Sequence, residues 1–487
     1  MKIKVPSKEI NTVSIIGERM SSLILGNLFL KSEIDSKLFF VPRNKTNSPF
    51  GDKEGITVLW KPAIEVLEDL GLWEDLEKEN SVSYSTSPPL IHWMNQKRTE
   101  KEEIKDGQPF DFGKLKAKKL VSDSFWDEMK GRKKHLPNVC AIPSQSLYKY
   151  LKVRLEEENS FIQVRKIRSV ENDSSKARIV FTPHKSKGGG GKELGKEEEE
   201  NVGEENVKVE SDILVDCEGL GSVKRLNIDF NPPLATCPSL LIQGECHFSK
   251  LRGLVCVEKN PIEIGELIIG RSKNCPSTLL SFFFHNNNQK LYWRLTTNTQ
   301  AATENTEGTA KNRDANGDGT IQENGKREEK EIENWNLDKL GREVEEKCLE
   351  FPFPLNQIIQ NSENVVQSRV HFFPQKLSKW HNMRSILFPN STIYTQLLTS
   401  PLFGLNDTLT FCCALDLFNC VMEGSREKNF ITQSFEKFDR NQKLRHEVVH
   451  AYSELYSWTS SIPPPFSRYF TPIVTDSLFK KAFNLPK

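Results

Sequence analysis

Neither charge is in excess in this sequence: 67 lysines and arginines face 66 aspartates and glutamates, a formal net charge of +1. A balance this even, at 27% charged residues, gives no overall field that would draw nucleic acid or an anionic membrane to the chain. Long apolar runs are missing too. None reaches the roughly 18 residues needed to cross a bilayer, so no transmembrane segment is expected. The 10 cysteines are single apart from Cys412-Cys413, and no CxxC pair occurs. Zinc-knuckle spacing is therefore absent, and cysteines set in apolar runs favour buried thiols in a reducing compartment over disulfides. The first strand-like run, Val13-Ser14-Ile15-Ile16, starts close to Met1 and leaves no room for a signal or transit peptide. The expectation is a soluble, cytoplasmic protein. Its 487 residues suffice for two or three domains or for one elaborated α/β enzyme.

Three stretches are too polar to belong to a core. Residues 96–119 are dense in Lys and Glu, 185–206 join Gly188–Gly191 to Glu197–Glu200, and 299–330 are polar and rich in Gly and Asn. All three read as inserted loops between strands, and 185–206 and 299–330 as disordered ones, because their composition cannot bury enough apolar surface to order. What remains has a regular order. Thr12–Ile16 is a short β-rich run broken by Gly17. Met20–Leu30 carries apolar residues at helical spacing, and Leu38–Val41 is a second buried strand stopped by Pro42. This βαβ opening is where a nucleotide would sit on a helix N-terminus. Gly55–Pro62 leads into a helix through Leu70 that Gly71 terminates. Strand-like runs follow at Phe161–Val170, Ala177–Phe181 and Val207–Val215. A strand-rich middle spans Leu240–Thr297, with Leu279–Phe284 and Leu291–Leu295 its clearest members. The last strand is Ser385–Phe388, and helical patterns occupy about 407–422 and 432–458.

Several short words stand in a telling order. Asp212-Ile-Leu-Val-Asp-Cys-Glu218-Gly219-Leu-Gly-Ser222-Val-Lys-Arg225 is a strand followed by an acid-Gly pair, then Ser and Arg. Gly55–Gly71, Ile142-Pro143-Ser144-Gln145-Ser146-Leu147, Trp380 through Pro401, Gly404 and Asn406, and Phe435-Glu-Lys-Phe438-Asp-Arg440 complete the set. In this order they resemble the class A FAD-dependent monooxygenases, the para-hydroxybenzoate hydroxylase-like fold, over about 12–75, 140–297 and 370–458. The resemblance implies an α/β fold: a Rossmann-like FAD-binding domain from the separated segments 10–75, 140–235 and 370–430, and an antiparallel-sheet substrate domain from 76–139 and 236–369. A C-terminal helical segment, 431–487, follows, and Ser385–Phe388 should lie beside Val13–Ile16 in one sheet.

The residues that would grip the flavin are largely replaced. The family's opening Gly-x-Gly-x-x-Gly lets the backbone approach a pyrophosphate and lets helix and strand pack closely. Here it reads Gly17-Glu18-Arg19-Met20-Ser21-Ser22. Arg19 sets a long side chain at the close-approach position, Glu18 adds negative charge, and Ser22 is a mild change. The ribose-binding acid expected after the second strand is missing from Leu38-Phe39-Phe40-Val41-Pro42-Arg43-Asn44. Ser144 stands where the family has an arginine. The family's late Gly-Asp word has become Pro389-Asn390, and this proline removes a backbone donor. Glu218-Gly219 keeps the charge of Asp-Gly on a longer arm, and Gly404-Leu405-Asn406 survives in part. Gly17, Arg19, Ser22, Ser144, Glu218, Gly219, Asn390, Gly404 and Asn406 therefore form a degenerate FAD site, with FAD weakly held or lost.

Two motifs point elsewhere. His446-Glu447-Val448-Val449-His450 is an HExxH, which on a helix sets two imidazoles on one face with a glutamate as general base for zinc hydrolysis. After Glu454, close behind it, the tail offers no further Glu or His as third ligand, and a solvated helix face is the preferred reading. Asp314-Ala-Asn316-Gly-Asp318-Gly319-Thr320-Ile321 begins like a calcium loop, but Gly325 stands where a bidentate glutamate belongs. Three functions are compared. The first is a flavoprotein-like binding or assembly protein with little or no turnover, serving a small molecule or a protein partner. The second is an active, divergent monooxygenase that uses FAD and NAD(P)H to hydroxylate an aromatic or lipophilic molecule, as the resemblance implies. The third, more remote, is a zinc hydrolase using His446, Glu447 and His450.

Overall fold

The structure, a computed structural model, describes residues 10–41, 56–79, 82–85, 90–94, 117–119, 121–131, 133–183, 206–218, 225–228, 239–251, 267–270, 279–285, 290–298, 355–370, 379–388, 405–424, 430–461 and 466–483. The first elements are β1 (Thr12–Ile16), α1 (Met20–Lys31), β2 (Asp35–Phe40), β3 (Ile56–Trp60), α2 (Lys61–Asp69), α3 (Trp73–Lys78) and β4 (Ser83–Ser85). Then come β5 (Leu90–Met94), β6 (Ala117–Lys119), α4 (Asp123–Gly131), β7 (Val139–Pro143), α5 (Ser144–Glu157), β8 (Phe161–Asn172) and β9 (Ala177–Pro183). The middle holds β10 (Val207–Ser211), β11 (Ile213–Asp216), β12 (Ser239–His247), α6 (Phe248–Leu251), β13 (Leu267–Gly270), β14 (Leu279–His285) and β15 (Lys290–Asn298). The chain continues through α7 (Leu355–Gln360), β16 (Glu363–Val370), β17 (His381–Asn382), β18 (Ser385–Leu387), α8 (Leu405–Gly424), α9 (Phe430–Ser461) and α10 (Phe466–Phe483).

An eight-stranded sheet runs β10-β9-β8-β2-β1-β11-β18-β17. Its centre, β8-β2-β1-β11-β18, is parallel throughout, with β9 and β10 antiparallel at one edge and β17 at the other. Such a centre must be covered on both faces, and its strands read accordingly as nearly unbroken apolar runs. Val13, Ile15, Ile16, Leu38, Phe39, Ile213, Leu214, Val215 and Ile386 are all buried. α1 covers one face with Ser21–Phe29 buried. Its Asn27 amide donates to the Leu23 and Leu151 carbonyls, each at 2.8 Å, which ties α1 to α5. Gly26 lets the two helices approach, because a Cβ there would stand 3.1 Å from the Leu155 side chain.

The second sheet, β16-β12-β15-β14-β13-β5-β6, is antiparallel except for the parallel pair β5–β13. A small antiparallel sheet, β3-β7-β4, completes the set. The mixed α/β class and the parallel sheet drawn from separated segments are as the sequence indicates. Ser385–Leu387 shares the sheet of Thr12–Ile16, but β11 intervenes between them, so the two strands are not direct neighbours. The loop reading of 96–119 fails at its end: Ala117–Lys119 pairs with β5 as an edge strand, a place where lysines suit the solvent-facing side of the sheet. Residues 185–205 and 299–330 lie outside the described residues.

Candidate functional site

The carboxyl-terminal rim of the parallel sheet, where β1 and β11 run side by side, is where an α/β sheet of this kind binds ligands. Ile16 and Asp216 are paired across it, and the Cys217 amide donates to the Ile16 carbonyl at 2.8 Å. Gly17 follows β1 with φ +122°, a conformation that favours glycine. Its amide donates to the Phe39 carbonyl at 2.9 Å. A Cβ at Gly17 would lie 3.3 Å from Glu218 Cγ and 3.4 Å from the Cys217 carbonyl carbon. The glycine is thus required by the end of β11 itself.

Glu18 turns to α5 and accepts a hydrogen bond from the Tyr148 hydroxyl at 2.7 Å. Burial, and then the Glu18 carboxylate, push that phenol well above its ordinary range. Arg19 is the N-cap of α1, in extended conformation and with no side-chain cap. Its carbonyl accepts from the Ser22 and Leu23 amides at 3.0 and 3.2 Å, and from the buried Ser22 hydroxyl at 2.6 Å. Ser22 therefore fits the close helix–strand contact and directs its proton into the helix's own first turn. β2 reaches this rim as Leu38-Phe39-Phe40, all buried, with Phe40 stacked on Phe161 at 4.2 Å between centroids. Among the described residues, no acid follows at that strand end.

Arg225 bridges two carboxylates. It donates to Asp216 at 3.0 Å and to Glu218 at 2.7 Å, while the Glu218 amide donates back to Asp216 at 3.0 Å. Asp216 is fully buried, whereas Arg225 and Glu218 are about one-fifth exposed. Burial acts to lower the Arg225 pKa, but the two carboxylates outweigh it and raise it above the ordinary guanidinium value. Cys217 lies buried between them, its thiol pushed well up by burial and by the neighbouring Asp216 charge.

At the start of α5, the Ser144 hydroxyl is 2.8 Å from that of Thr57 on β3. The first turn of α8 holds β3 through two side chains. Asp407 accepts from the Val58 amide at 3.3 Å, and Thr408 from the Trp60 amide at 2.9 Å. Gly17, Arg19, Ser22 and Glu218 thus gather at the rim of β1 and β11, while Ser144 belongs to the β3–α5 junction. Asn406 is the second residue of α8. Gly219, Asn390 and Gly404 lie outside the described residues, as do Asp314–Gly325. His446, Glu447 and His450 fall within α9, but the two histidine side chains are outside what is described. No group of three His, Cys, Asp or Glu side chains that could hold a metal occurs among the described residues. Sequence reasoning passed over Asp216, Tyr148, Asp407 and Thr408. Asp216 was detectable as an acid closing a buried apolar run, two residues before Glu218 and so on the same side of an extended chain. Nothing local marked Tyr148, whose partner is 130 residues away.

No family model and no curated protein matches this sequence. Solved structures do match its fold. p-Nitrophenol 4-monooxygenase PnpA from Pseudomonas putida DLL-E4 superposes with a TM-score of 0.58 at 10% identity, over 96% of this chain and 93% of that one. The chain has the fold of the FAD-dependent monooxygenases. Klebsiella pneumoniae HpxO, solved with FAD and uric acid, gives 0.57 at 10% identity over 97% and 95% of the two chains. Pseudomonas aeruginosa PqsL in complex with 2-aminobenzoylacetate gives 0.56 at 11% identity over 96% and 99%. The monooxygenase fold thus spans nearly the whole chain, and no helix among the described residues is long and apolar enough to cross a membrane.

Proposed function

We propose that this protein keeps the flavin-monooxygenase framework while its own side chains close the dinucleotide site, so that FAD is weakly bound or lost and the chain serves as a binding or assembly protein. The carrying observation is the Asp216–Arg225–Glu218 bridge at the rim. FAD would bring a doubly charged pyrophosphate to the N-terminus of α1, where a helix offers backbone donors to anions. Among the described residues, Glu18, Asp216 and Glu218 stand around that point against Arg19 and Arg225, a local excess of one negative charge. Arg225 is already committed to two carboxylates, so among the described residues little cationic charge is left for phosphate. The buried aromatic end of β2 offers nothing to a ribose hydroxyl, and the Ser144 hydroxyl supplies no cation. The residues present do not fit the cofactor. Losing two or three charge-assisted hydrogen bonds at about 1.5–3 kcal/mol each would weaken a dinucleotide by roughly three orders of magnitude.

In the same reading, 10–75, 140–235 and 370–430 form the Rossmann-like unit, 76–139 and 236–369 the substrate-type unit, and 431–487 a helical appendage. The retained function is capture of a small molecule or a protein partner. Flavin content tests the proposal. The purified protein should be colourless, and micromolar FAD should leave its Tm almost unchanged, since ligand stabilisation scales with concentration over Kd. Combined reversion by Arg19→Gly, Ser144→Arg, Pro389→Gly and Asn390→Asp should restore a measurable shift, and single reversions less of one. Stoichiometric FAD in the unaltered protein would overturn the reading and make a divergent monooxygenase, working with NAD(P)H on an aromatic or lipophilic substrate, the preferred function.

A further inference from the structure

α10 carries two apolar faces, and only one of them is used. Its inner face, Val474, Leu478, Phe479 and Ala482, is buried, and Phe479 meets the Trp60 ring at 4.5 Å between centroids. Asp476 accepts from the Ser122 amide at 2.5 Å, which fixes the helix to the start of α4. Its outer face in the first two turns is Phe466, Tyr469, Phe470 and Ile473, with 60, 61, 40 and 50% of each residue exposed. These occupy positions i, i+3, i+4 and i+7, a single stripe on a helix. Continued by helical geometry, the same side reaches the exposed Lys481 at i+15, whereas Lys480 turns to α4, pairing with Asp476 at 2.9 Å and donating to the Ser124 hydroxyl at 3.1 Å. At the other end, Lys118 of the edge strand β6 stands over the Tyr469 ring, 5.7 Å from its centroid. An aromatic wedge with lysines at both ends results.

We propose that this outer face of α10 seats on an anionic lipid surface, its aromatic stripe entering the boundary between headgroups and acyl chains while Lys118 and Lys481 meet lipid phosphate. Charge and area select this occupant. The four side chains expose roughly 400 Å² together, taking about 200 Å² for each aromatic residue, and a standard protein interface covers about 800 Å² per partner. The stripe is thus half of what a stable dimer needs, yet it suits an interfacial helix, whose binding combines a modest apolar area with cationic attraction. In a symmetric pairing of two copies the lysines would face lysines. The chain's net charge of +1 gives no long-range attraction, so the effect is local to this face. The inference is independent of whether flavin binds.

Co-sedimentation of the full-length protein with vesicles tests it, using phosphatidylcholine alone and phosphatidylcholine with about one-third phosphatidylserine. The protein should bind the anionic vesicles at least about tenfold more tightly, and added salt should weaken that binding. Lys118→Glu should reduce it at least about fivefold, consistent with roughly 1 kcal/mol for each cation near a charged bilayer. Phe466→Ser, Phe470→Ser and Ile473→Ser together should abolish it without lowering Tm, because the replaced side chains lie outside the core. Three outcomes would overturn the proposal: no binding of the unaltered protein to anionic vesicles, equal binding to both vesicle types, or binding that the triple variant retains. A solution dimer that the triple variant dissolves would also overturn it and assign the face to a second copy of this chain.

Discussion

Along the floor of the eight-stranded sheet, Val13, Ile15, Leu38, Leu214 and Ile386 are buried apolar side chains, whereas its carboxyl-terminal rim carries Glu18, Arg19, Asp216, Glu218 and Arg225. The floor is held by area removed from water and is indifferent to what the rim binds. The rim is held by a few directional charge pairs, and each polar group there needs a partner from outside or from the chain itself. In this protein Arg225 and Tyr148 supply those partners from within. If the proposed reading holds, a fold and its ligand site can part company: a sheet of monooxygenase form stays intact while its rim turns inward.

The comparison breaks most visibly at the floor. Leu214→Ala leaves a cavity between β1 and β18 and should cost about 2–5 kcal/mol in chemical denaturation; a cost under about 1 kcal/mol would show that the floor does not hold the sheet. Arg225→Ala strands the buried Asp216 carboxylate and should cost about 2 kcal/mol, below the roughly 3–5 kcal/mol of a fully buried pair because Arg225 is partly solvated. Adding Asp216→Asn should recover most of that loss, and failure to do so would mean the bridge does not close the rim. A third test lies at the sheet's far edge. His381 on β17 is buried, its Nδ1 finds no partner among the described residues, and burial, then Lys379 and Lys443, lower its pKa to about 4. The fold holds this imidazole neutral while the unfolded chain protonates near pH 6.5. Its contribution is complete above pH 6.5, falls as pH drops towards 4 and levels off below, a change on the order of 1–3 kcal/mol. His381→Leu should flatten that part of the stability profile. The smallest effect belongs to Tyr148→Phe, which removes one hydrogen bond to Glu18 and should cost about 1 kcal/mol or less.

The elements visible in the sequence were those whose apolar residues recur at a strand or helix period: β1, α1, β2, β3 with α2, β8, β9, β14, β15, β18, α8 and α9. Gly71 is an instance at finer scale. It ends the turn after α2 at φ +78°, with its amide on the Glu68 carbonyl and that of Leu72 on Leu67, as the sequence suggested. Val207–Val215 reads as one strand but is two. Asp212 interrupts it, accepting from the Asn11 and Thr12 amides at 2.8 and 2.9 Å, so that β10 pairs with β9 and β11 with β1. No local pattern reports such a change of partner. β6 was read as part of a loop because an edge strand need not be apolar. α10 escaped as a separate helix because Pro463–Pro465 and Pro472 mask its period. At the candidate site, Gly17, Arg19, Ser22 and Glu218 were legible as positions. Arg225 stood in the same word as Glu218, but Tyr148 was not legible as a partner of Glu18, since tertiary folding joins the two across 130 residues.

The strand order has a temporal side. β1 borders β11, β11 borders β18, and Ile16 and Leu387 are joined through Asp216 between them. About 370 residues separate the two, so at roughly 5–20 residues per second a ribosome needs on the order of 20–75 s to deliver the last parallel strand after the first. Until β11 is made, about 200 residues after β1, the apolar run at the amino terminus has only β2 beside it, β11 in turn waits for β18, and pairings this distant close slowly even once the chain is complete. The growing polypeptide therefore has to be shielded from its own first strand, which makes its yield more sensitive to chaperone supply during synthesis than its finished stability would suggest.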